Sequence, residues 1–461
     1  MTASAPASVE ALGERLGSAL TGRLPEHIER LGWDAERLAL HQRERLRALL
    51  AHASEQSRFH ARRLAGVDPE RFEPADLEGL PVMTKADMME SLDELVSDRR
   101  LSRDAVERHL GAVAEPSLLL GDYVCLASGG SSGRRGIFVQ SIDEYAEFGA
   151  ATVRRGVARA LAAGAPADGI FMAMVAAGSP VHSTGFAAGC ARRPPLRILP
   201  APATLPLAEI VDRLNEMQPP ALMGYPSTLA LLARERQAGR LRIGPLAVTS
   251  TSEMLTPEDR ALIRAGFGVP VVDQFGATEG LLGHSEPDGD VLTFASDICL
   301  VQLVDESNRP VPPGTPSAKA LVTNLHNLTQ PLIRYELEDR FVAQPGGGWL
   351  RATVEGRSDE VFRYGAVELY PLAIRTVMVR QPAVTEYQVR QSRRGIDVSV
   401  VAEGMLDETA LAAALERSMR DAGLPEPSAI VQRVDAIERS PEIGKVKRFI
   451  ALTGAGRVRP S

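Results

Sequence analysis

A loop of small and basic residues is the sharpest candidate for chemistry in this sequence. It runs from Ser128 to Gly136 as SGGSSGRRG, between the apolar runs VCLA and IFVQ. Glycines let a backbone approach an anion closely, and backbone N–H groups and serine hydroxyls can donate hydrogen bonds to phosphate oxygens. Ser131 and Ser132 supply such hydroxyls, and the two arginines that follow add positive charge. The pattern indicates a loop that binds phosphate.

Two other interpretations of this loop stay open on its own sequence. Gly129, Ser131 and Gly133 match GxSxG, the nucleophile elbow of serine hydrolases, and three histidines follow it: His182, His284 and His326. An elbow requires a strand, a sharp turn and then a helix, whereas the IFVQS segment after this loop has the pattern of a strand. The spacing of a Walker loop fails, because no lysine follows the glycines. A plain polar hairpin is the remaining interpretation.

Composition restricts the class of protein. The chain has 461 residues, of which 44% are hydrophobic and 24% charged, which is typical of a globular protein with two or three domains. The 52 Lys and Arg against 59 Asp and Glu give a net charge of −7, so we expect no nucleic-acid partner and no membrane partner. The three cysteines are too few for a disulfide framework or a CxxC metal clip. With no pattern of a secretory signal, these features favour a cytoplasmic protein.

The pattern of apolar residues and turn residues changes along the chain and predicts a multidomain α/β architecture. Leucines at helical spacing, such as Leu38, Leu46 and Leu49, indicate a helical segment over 1–120, with Asp34 as an N-cap. From about 121, short apolar runs alternate with helix-length segments, which predicts a layered α/β core. After about 282, turn-rich segments indicate antiparallel strands in a β-rich part of that core. We expect the core to occupy 121–355 and a small α+β domain to occupy 356–461.

Five motifs in this order resemble those of the adenylate-forming acyl-CoA synthetase superfamily, and of its phenylacetate–CoA ligase-like branch in particular. SGGSSGRRG is similar to the superfamily's phosphate loop. The others are DQFGATEG from Asp273, PLIRYELEDR from Pro331, GRSDEVF from Gly356 and SPEIGKVKR from Ser440. Segments near Phe59 and Lys85 are similar to that branch, so the resemblance covers nearly the whole chain. It implies a large N-terminal domain joined at a hinge to a small mobile C-terminal domain.

The resemblance implies a reaction that uses ATP and Mg²⁺. A carboxylate resists nucleophilic attack, so the acid first displaces pyrophosphate from ATP, and AMP then becomes the leaving group. By resemblance, Lys445 lies beside the substrate carboxylate and the α-phosphate, Thr278 contacts the α-phosphate, and Glu279 ligates Mg²⁺. Asp359 is implied as the pivot of the hinge. The nucleotide contacts are assigned to Ser128, Gly130, Ser131, Ser132, Gly133, Ser252, Glu253, Gln274, Phe275, Gly276, Asp339, Arg357 and Lys85.

The acyl pocket is expected, from position, between the segments MVAAGSPVHSTGF and GYPST. Small and apolar residues dominate there, which suits an aromatic or hydrophobic acid. The candidate substrate contacts are Ala177, Gly178, His182, Tyr225 and Pro226.

The acceptor of the acyl group is less constrained by the sequence. The resemblance implies coenzyme A as the acceptor, and a carrier-protein thiol and an amine remain alternatives. The sequence leaves open whether the chain forms oligomers. A GxSxG hydrolase and a non-catalytic nucleotide-binding protein are the alternatives from other classes. The chain departs from the superfamily pattern at Arg135, Gly136, Leu337, Glu338 and Glu360.

Overall fold

The computed structural model describes residues 8–128, 136–164, 170–193, 196–357, 360–365, 367–378, 380–381, 383–441 and 444–452. The chain divides into two compact units, Met1–Glu355 and Gly356–Ser461. The larger N-terminal unit contains the long sheet, and the C-terminal unit has a hydrophobic core of its own.

Helices form the first part of the N-terminal unit. They are α1 (Val9–Arg30), α2 (Ala35–Gln56), α3 (Arg58–Arg63), a 3₁₀ helix (Pro74–Gly79), α4 (Lys85–Glu90), α5 (Leu92–Leu95) and α6 (Arg103–Ala112). The side chain of Asp34 accepts the N–H of Arg37, which confirms it as the N-cap of α2. Leu38, Leu46 and Leu49 are buried on one face of that helix, as their spacing predicts.

An antiparallel hairpin follows these helices. Its strands are β1 (Tyr123–Ala127) and β2 (Ile137–Ser141), and they form a two-stranded sheet. The long helix α7 (Ile142–Ala162) begins directly after β2, with Ser141 and Glu144 forming a capping box. A strand therefore follows the glycine-rich loop, as its sequence predicts.

A ten-stranded sheet forms the centre of the unit. Its parallel strands are β3 (Ile170–Val175), β5 (Leu196–Pro200), β6 (Ala221–Gly224), β7 (Ala247–Thr251) and β8 (Val271–Gly276). The helices between them are α8 (Ser183–Cys190), α9 (Leu207–Met217), α10 (Pro226–Gln237) and α11 (Pro257–Phe267). The remaining strands are β4 (Arg192–Arg193), β9 (Leu282–Ser285), β10 (Leu292–Phe294), β14 (Asp339–Ala343) and β15 (Arg351–Arg357). The strand order is β14-β15-β10-β9-β8-β7-β6-β3-β5-β4.

A second, three-stranded sheet completes the N-terminal unit. It consists of β11 (Cys299–Val304), β12 (Lys319–Asn324) and β13 (Tyr335–Leu337), all antiparallel. The antiparallel pairings β8–β9, β9–β10, β11–β12 and β12–β13 confirm the β-rich part expected after about 282.

The C-terminal unit is a small α+β structure. Its strands are β16 (Phe362–Tyr364), β17 (Val367–Leu369), β18 (Val384–Gln391), β19 (Gly395–Ala402), β20 (Ser428–Arg433) and β21 (Phe449–Ile450), and its helices are α12 (Pro371–Met378) and α13 (Glu408–Asp421). The four-stranded sheet has the order β20-β19-β18-β21 and buries Val389, Val398 and Phe449 with Leu415 of α13. The predicted fold class, a layered α/β body with a smaller α+β part, is confirmed. Within the described residues, no helix has both the length and the hydropathy that crossing a membrane requires.

A buried ion pair fastens α7 to the connection between β10 and β11. The Arg154 guanidinium donates to both carboxylate oxygens of Asp297 at 2.6 and 2.7 Å. The two side chains are 2% and 0% exposed. Burial alone would raise the pKa of Asp297, but the hydrogen bonds and charge of Arg154 outweigh it, and the pKa lies below its usual value. Because each charge is compensated only by its partners, loss of one partner leaves the other uncompensated.

We therefore expect Asp297→Asn to lower the free energy of unfolding by about 3–5 kcal/mol. Both tryptophans of the chain, Trp33 and Trp349, lie in the N-terminal unit, so urea denaturation followed by tryptophan fluorescence reports on this unit. Glu107→Gln is the matched control, because its ion pair with Arg103 is exposed and should contribute less than about 1 kcal/mol. Equal losses for the two variants would contradict the structural role of the buried pair.

Candidate active site

The carboxyl ends of neighbouring parallel strands bring most of the predicted residues of the N-terminal unit to one edge of the sheet. β3, β6, β7 and β8 are adjacent in the strand order. The segments that follow them are 176–178, 225–226, 252–253 and 277–279, which contain candidate contacts for substrate and nucleotide. Open α/β sheets bind ligands outside the carboxyl ends of their strands. This edge is therefore the candidate active site.

The glycine-rich hairpin, which is β1, β2 and the loop between them, has a closed neck. The N–H of Ser128 donates to the Gly136 carbonyl at 2.9 Å, and the N–H of Gly136 donates to Ser128 Oγ at 2.9 Å. The loop residues Gly130, Ser131, Ser132 and Gly133 lie outside the described residues. The neck holds the two ends of the loop together and presents one serine hydroxyl beside it.

Lys85 lies against this neck. A Cβ added to Gly136 would be 2.9 Å from Lys85 Cε. Lys85 is the first residue of α4, which Thr84 caps. The chain just before α4 pairs with the PLIRYELEDR segment, since the N–H of Met83 donates to the Arg334 carbonyl at 3.0 Å. A cavity of about 370 Å³ opens beside the Lys85 side chain. The structure thus brings the predicted lysine and the glycine-rich hairpin together.

Thr278 and Glu279 lie in a tight turn after β8, residues 277–280, called here the acidic turn. The N–H of Ala277 donates to the Leu281 carbonyl at 2.8 Å, and the N–H of Gly280 donates to the Ala277 carbonyl at 3.0 Å. The side chain of Asn324 fastens the turn from outside, because its Nδ2 donates to the Glu279 carbonyl at 2.9 Å. Gly280 has φ +103°, and a Cβ there would overlap Asn324 Nδ2. Only glycine fits both the conformation and the contact.

Tyr335 of the PLIRYELEDR segment is buried at the start of β13, with 1% of its surface exposed. Burial raises the pKa of its phenol, and the negative charges of Glu279, Glu338 and Glu336 raise it further. The phenol therefore stays neutral.

Phe275 lies in a cluster of three aromatic rings. Its ring centroid is 6.0 Å from that of Phe294 and 5.4 Å from that of Phe341, in edge-to-face geometry. Phe341 lies two residues after Asp339, which is the first residue of β14 and is buried. Gly276 ends β8 and is exposed. The cluster fixes β14, which begins at Asp339, against β8, which leads into the acidic turn.

The side chain of Gln274 is hydrogen-bonded to a histidine of the neighbouring strand β9. Its Oε1 lies 3.1 Å from Nε2 of His284, which is also 3.0 Å from the Thr152 carbonyl of α7. Burial lowers the pKa of His284 to about 3, so the ring is neutral and its Nε2–H is the donor. Gln274 therefore positions β8 against α7, in addition to its predicted place beside the nucleotide.

Ser252 and Glu253 form a bend directly after β7. Ser252 has φ +66°, in the left-handed region that non-glycine residues rarely adopt. Glu253 Oε2 accepts the N–H of Ser227 at 3.3 Å, near the amino end of α10. Such a conformation persists only where the surroundings fix it, and it is found preferentially at functional sites.

The predicted acyl contacts meet around Tyr225. The Tyr225 hydroxyl accepts the N–H of Ala177 at 2.9 Å and is also hydrogen-bonded by Thr184. Pro226 is the first residue of α10 and is buried. His182 lies at the other side, where its Nδ1 donates to the Ala127 carbonyl at 3.1 Å, at the end of β1. Four of these candidates thus contact either each other or the strands of the site. Gly178, the fifth, packs against Pro202, since a Cβ there would be 2.8 Å from Pro202 Cγ.

The remaining candidates belong to the C-terminal unit or its boundary. Arg357 is the last residue of β15, and Asp359 lies outside the described residues. Two backbone hydrogen bonds join Ser440 to the residues at Lys445: the N–H of Ser440 donates to the Lys445 carbonyl at 2.9 Å, and that of Gly444 donates to the Ser440 carbonyl at 2.8 Å. Gly444 has φ +72°, a conformation that glycine adopts readily. These bonds hold the backbone of Lys445, four residues before β21.

The histidines do not favour a serine hydrolase. Burial lowers the pKa of His284 to about 3 and that of His326 to about 4, and both rings face backbone carbonyls. Of the three histidines, His182 lies beside the glycine-rich hairpin. The loop of this hairpin is followed by the strand β2, whereas a nucleophile elbow is followed by a helix.

Sequence reasoning missed the side chains that fasten the acidic turn and β2. These are Asn324, Asn327 and Gln330, whose relative exposures are 2%, 3% and 0%. Three amides within the seven residues NLHNLTQ, between two apolar segments, are the signal that could have found them. Amides at this density in a connection are typical of a loop that pairs with backbone.

The contact between Gly280 and Asn324 is testable by adding one methyl group. We expect Gly280→Ala to lower the free energy of unfolding by about 1–3 kcal/mol more than Gly314→Ala, because overpacking is added to backbone strain. Gly314 is the matched control: its φ is +84°, and a Cβ there would have no atom within 4 Å. Urea denaturation with tryptophan fluorescence measures both, and equal losses would exclude the close approach of Asn324.

Comparisons with known proteins agree with this architecture. No family model matches the chain, and no curated protein matches it in sequence. A structure of 2-hydroxyisobutyryl-CoA ligase in the postadenylation state, in complex with R3-HIB-AMP, matches with a TM-score of 0.69 and 19% identity, over 89% of this chain and 89% of that chain.

Two further solved structures match over smaller shares of the chain. Anthranilate CoA ligase AuaEII in complex with anthranoyl-AMP has a TM-score of 0.51 and 14% identity, over 70% of this chain and 65% of that one. ATP-bound MatB from Rhodopseudomonas palustris has a TM-score of 0.51 and 18% identity, over 69% and 65%. The chain therefore has the fold of the adenylate-forming enzymes that its motifs resemble.

Proposed function

We propose that this chain is an AMP-forming ligase that activates a carboxylic acid with ATP and transfers the acyl group to the thiol of coenzyme A. In the first step a carboxylate oxygen attacks the α-phosphorus, forming acyl-AMP and releasing pyrophosphate. In the second step the thiol sulfur bonds to the acyl carbon, AMP leaves, and the thiol proton is released. The observation that supports this most is the contact of Lys85 with the hairpin neck, on a fold shared with acyl-CoA ligases.

The phosphates of ATP are the groups that the hairpin would bind. Four negative charges require cations and N–H or O–H donors. Lys85 and Ser128 lie at the base of the loop that contains Gly130, Ser131, Ser132 and Gly133, which we propose as the β- and γ-phosphate contacts. Thr278, in the acidic turn, would bind the α-phosphate, and Asp339 would accept from the ribose hydroxyls, because a carboxylate accepts with both oxygens.

We propose that Glu279 holds a magnesium ion. Its backbone is fixed in the acidic turn, because its carbonyl accepts from Asn324 Nδ2 at 2.9 Å and backbone hydrogen bonds close the turn. The described residues contain no group of three or more His, Cys, Asp and Glu that could hold a metal. Mg²⁺ usually takes only one or two carboxylates and completes its shell with phosphates and water. Bound there with ATP, the ion would neutralise phosphate charge, while Glu279 holds it and the acidic turn holds Glu279.

The acid would enter beside Tyr225. With its hydroxyl occupied by Ala177 and Thr184, Tyr225 would offer mainly its ring to a ligand. The Tyr225 hydroxyl already has hydrogen-bond partners, and neighbours such as Gly178 are small. Both features suit an aromatic or hydrophobic acid. His182 would lie between the acyl contacts and the hairpin, since it is bonded to the end of β1.

The C-terminal unit would supply the cation for adenylation. We propose that Lys445 places its ammonium beside the carboxylate and the α-phosphate, with Arg357 at the nucleotide and Asp359 as the pivot that lets this unit move between the two steps. The two backbone hydrogen bonds that join Ser440 to Gly444 and Lys445 support this role, because a cation that stabilises a transition state must be held before the reaction begins.

A panel of carboxylic acids tests the proposal. Purified protein with ATP, Mg²⁺ and each acid is assayed for pyrophosphate, then with CoA, with a carrier protein and with amines while products are identified by mass spectrometry. We expect pyrophosphate release that depends on the acid and a thioester when CoA is present. Amide products instead of a thioester would reassign the acceptor. Release of pyrophosphate with none of the acids would contradict the proposal.

Removal of the Lys445 ammonium should separate the two steps. We expect Lys445→Ala to lower acid-dependent pyrophosphate release by about a hundredfold or more and to leave thioester formation from supplied acyl-AMP nearly unchanged. Lys447→Ala is the matched control, since Lys447 lies two residues away in the same segment and the bond that its backbone carbonyl accepts from Gln388 does not need its side chain. Near-normal pyrophosphate release by the Lys445 variant would exclude its assigned role.

A further inference from the structure

The second edge of β2 is paired by side chains rather than by a strand. Gln330 Oε1 accepts the N–H of Val139 at 2.7 Å, and Gln330 Nε2 donates to the Ile137 carbonyl at 3.1 Å. Asn327 Nδ2 donates to the Val139 carbonyl at 3.0 Å. The two amides therefore make three of the hydrogen bonds that a third strand would make on β2, while the Ile137 N–H donates to Met89 Sδ at 3.4 Å.

The same segment, residues 324–330, reaches the acidic turn at its other end. Asn324 Nδ2 donates to the Glu279 carbonyl at 2.9 Å. Asn324 Oδ1 accepts the N–H groups of His326 and Asn327, each at 3.0 Å. One buried side chain thus binds the turn with its donor and its own segment with its acceptor.

The segment is also fixed to α7. Glu144 Oε1 accepts the N–H groups of Leu328 and Thr329 at 2.7 and 3.0 Å, and Glu144 Oε2 accepts the Thr329 hydroxyl at 2.6 Å. Glu144 is the capping-box residue of α7, the helix that follows β2. The amide segment, as we call residues 324–330, is therefore held on three sides and has little freedom to move alone.

We propose that Asn324 is a positioning residue that sets the distance between the acidic turn and β2. The inference rests on the proposed function, because that function assigns the metal ligand to the turn and places phosphate contacts at the hairpin neck. Residues that bind a metal or a phosphate must be held within about 0.5 Å of their productive geometry. Partners that orient a metal ligand typically change metal affinity or activity by about 10–100-fold when removed.

Asn324→Asp isolates the bond to the turn. Aspartate keeps the acceptor for His326 and Asn327, so the amide segment stays together, but it has no N–H for the Glu279 carbonyl. We expect kcat/KM for Mg·ATP to fall by about 10–100-fold, and the Mg²⁺ concentration for half-maximal rate to rise. KM for the acid should change little, because the Asn324 side chain bonds the acidic turn and its own segment rather than the proposed acyl residues.

Asn215→Asp is the matched control. Asn215 also bridges a loop with both ends of its amide: its Nδ2 donates to the Arg240 carbonyl at 3.0 Å and its Oδ1 accepts the N–H of Arg242 at 2.6 Å. That loop precedes β7, whereas the candidate site lies at the carboxyl ends of the strands. The control should keep the wild-type rate and Mg²⁺ requirement within about twofold, as is usual for changes away from functional groups.

Wild-type turnover separates failure of the proposed function from failure of this inference. If the wild type releases pyrophosphate and Asn324→Asp behaves like Asn215→Asp, the inference is overturned. If the wild type shows no turnover, hydrogen exchange decides: the Ala277 and Gly280 amides should exchange at least tenfold faster in Asn324→Asp, and unchanged exchange would overturn the inference. Asn324→Ala replaces the aspartate variant if tryptophan fluorescence shows that the latter is unfolded.

Discussion

Each strand of a two-stranded hairpin is paired along one edge only, and β2 depends on side chains at its outer edge. Isolated hairpins are marginally stable in water, and buried backbone groups without partners are costly. Val139 and Ile137 are buried, so the outer edge of β2 must be satisfied within the protein. Gln330 and Asn327 do this together with Met89. Because Asn324 of the same segment bonds the Glu279 carbonyl, the strand after the loop and the acidic turn share one support.

The carboxyl edge of the parallel sheet organises the other candidate residues. The bends after β3, β6, β7 and β8 lie side by side because those strands are neighbours, although the residues are up to about a hundred positions apart in sequence. The left-handed Ser252 and the left-handed Gly280 both occur in these bends. Left-handed backbone thus occurs in two of the bends that carry candidate residues.

Local sequence patterns predicted helices and strands, but they did not predict which strands pair with each other. The leucines of α2, the Asp34 cap and the strand after the glycine-rich loop follow from periodicity and capping. The order of the ten-stranded sheet does not, because Leu292 pairs with Ala352 and nothing in either segment specifies the other. The motifs singled out residues that the structure places in the bend after β8, such as Thr278 and Glu279, and the lysine beside the hairpin neck, Lys85. They could not identify Asn324 or Gln330, since a buried amide in a connection has no period, nor show that Gln274 bonds His284.

Transfer of oxygen from the acid to AMP tests the central claim most directly. A carboxylic acid labelled with ¹⁸O in both oxygens is incubated with the protein, ATP, Mg²⁺ and CoA, and the phosphorus products are analysed by mass spectrometry. If a carboxylate oxygen attacks the α-phosphorus and the acyl carbon–oxygen bond then breaks, AMP leaves with one ¹⁸O. Unlabelled AMP, or label in inorganic phosphate, would show that no acyl-AMP is formed and would contradict the account.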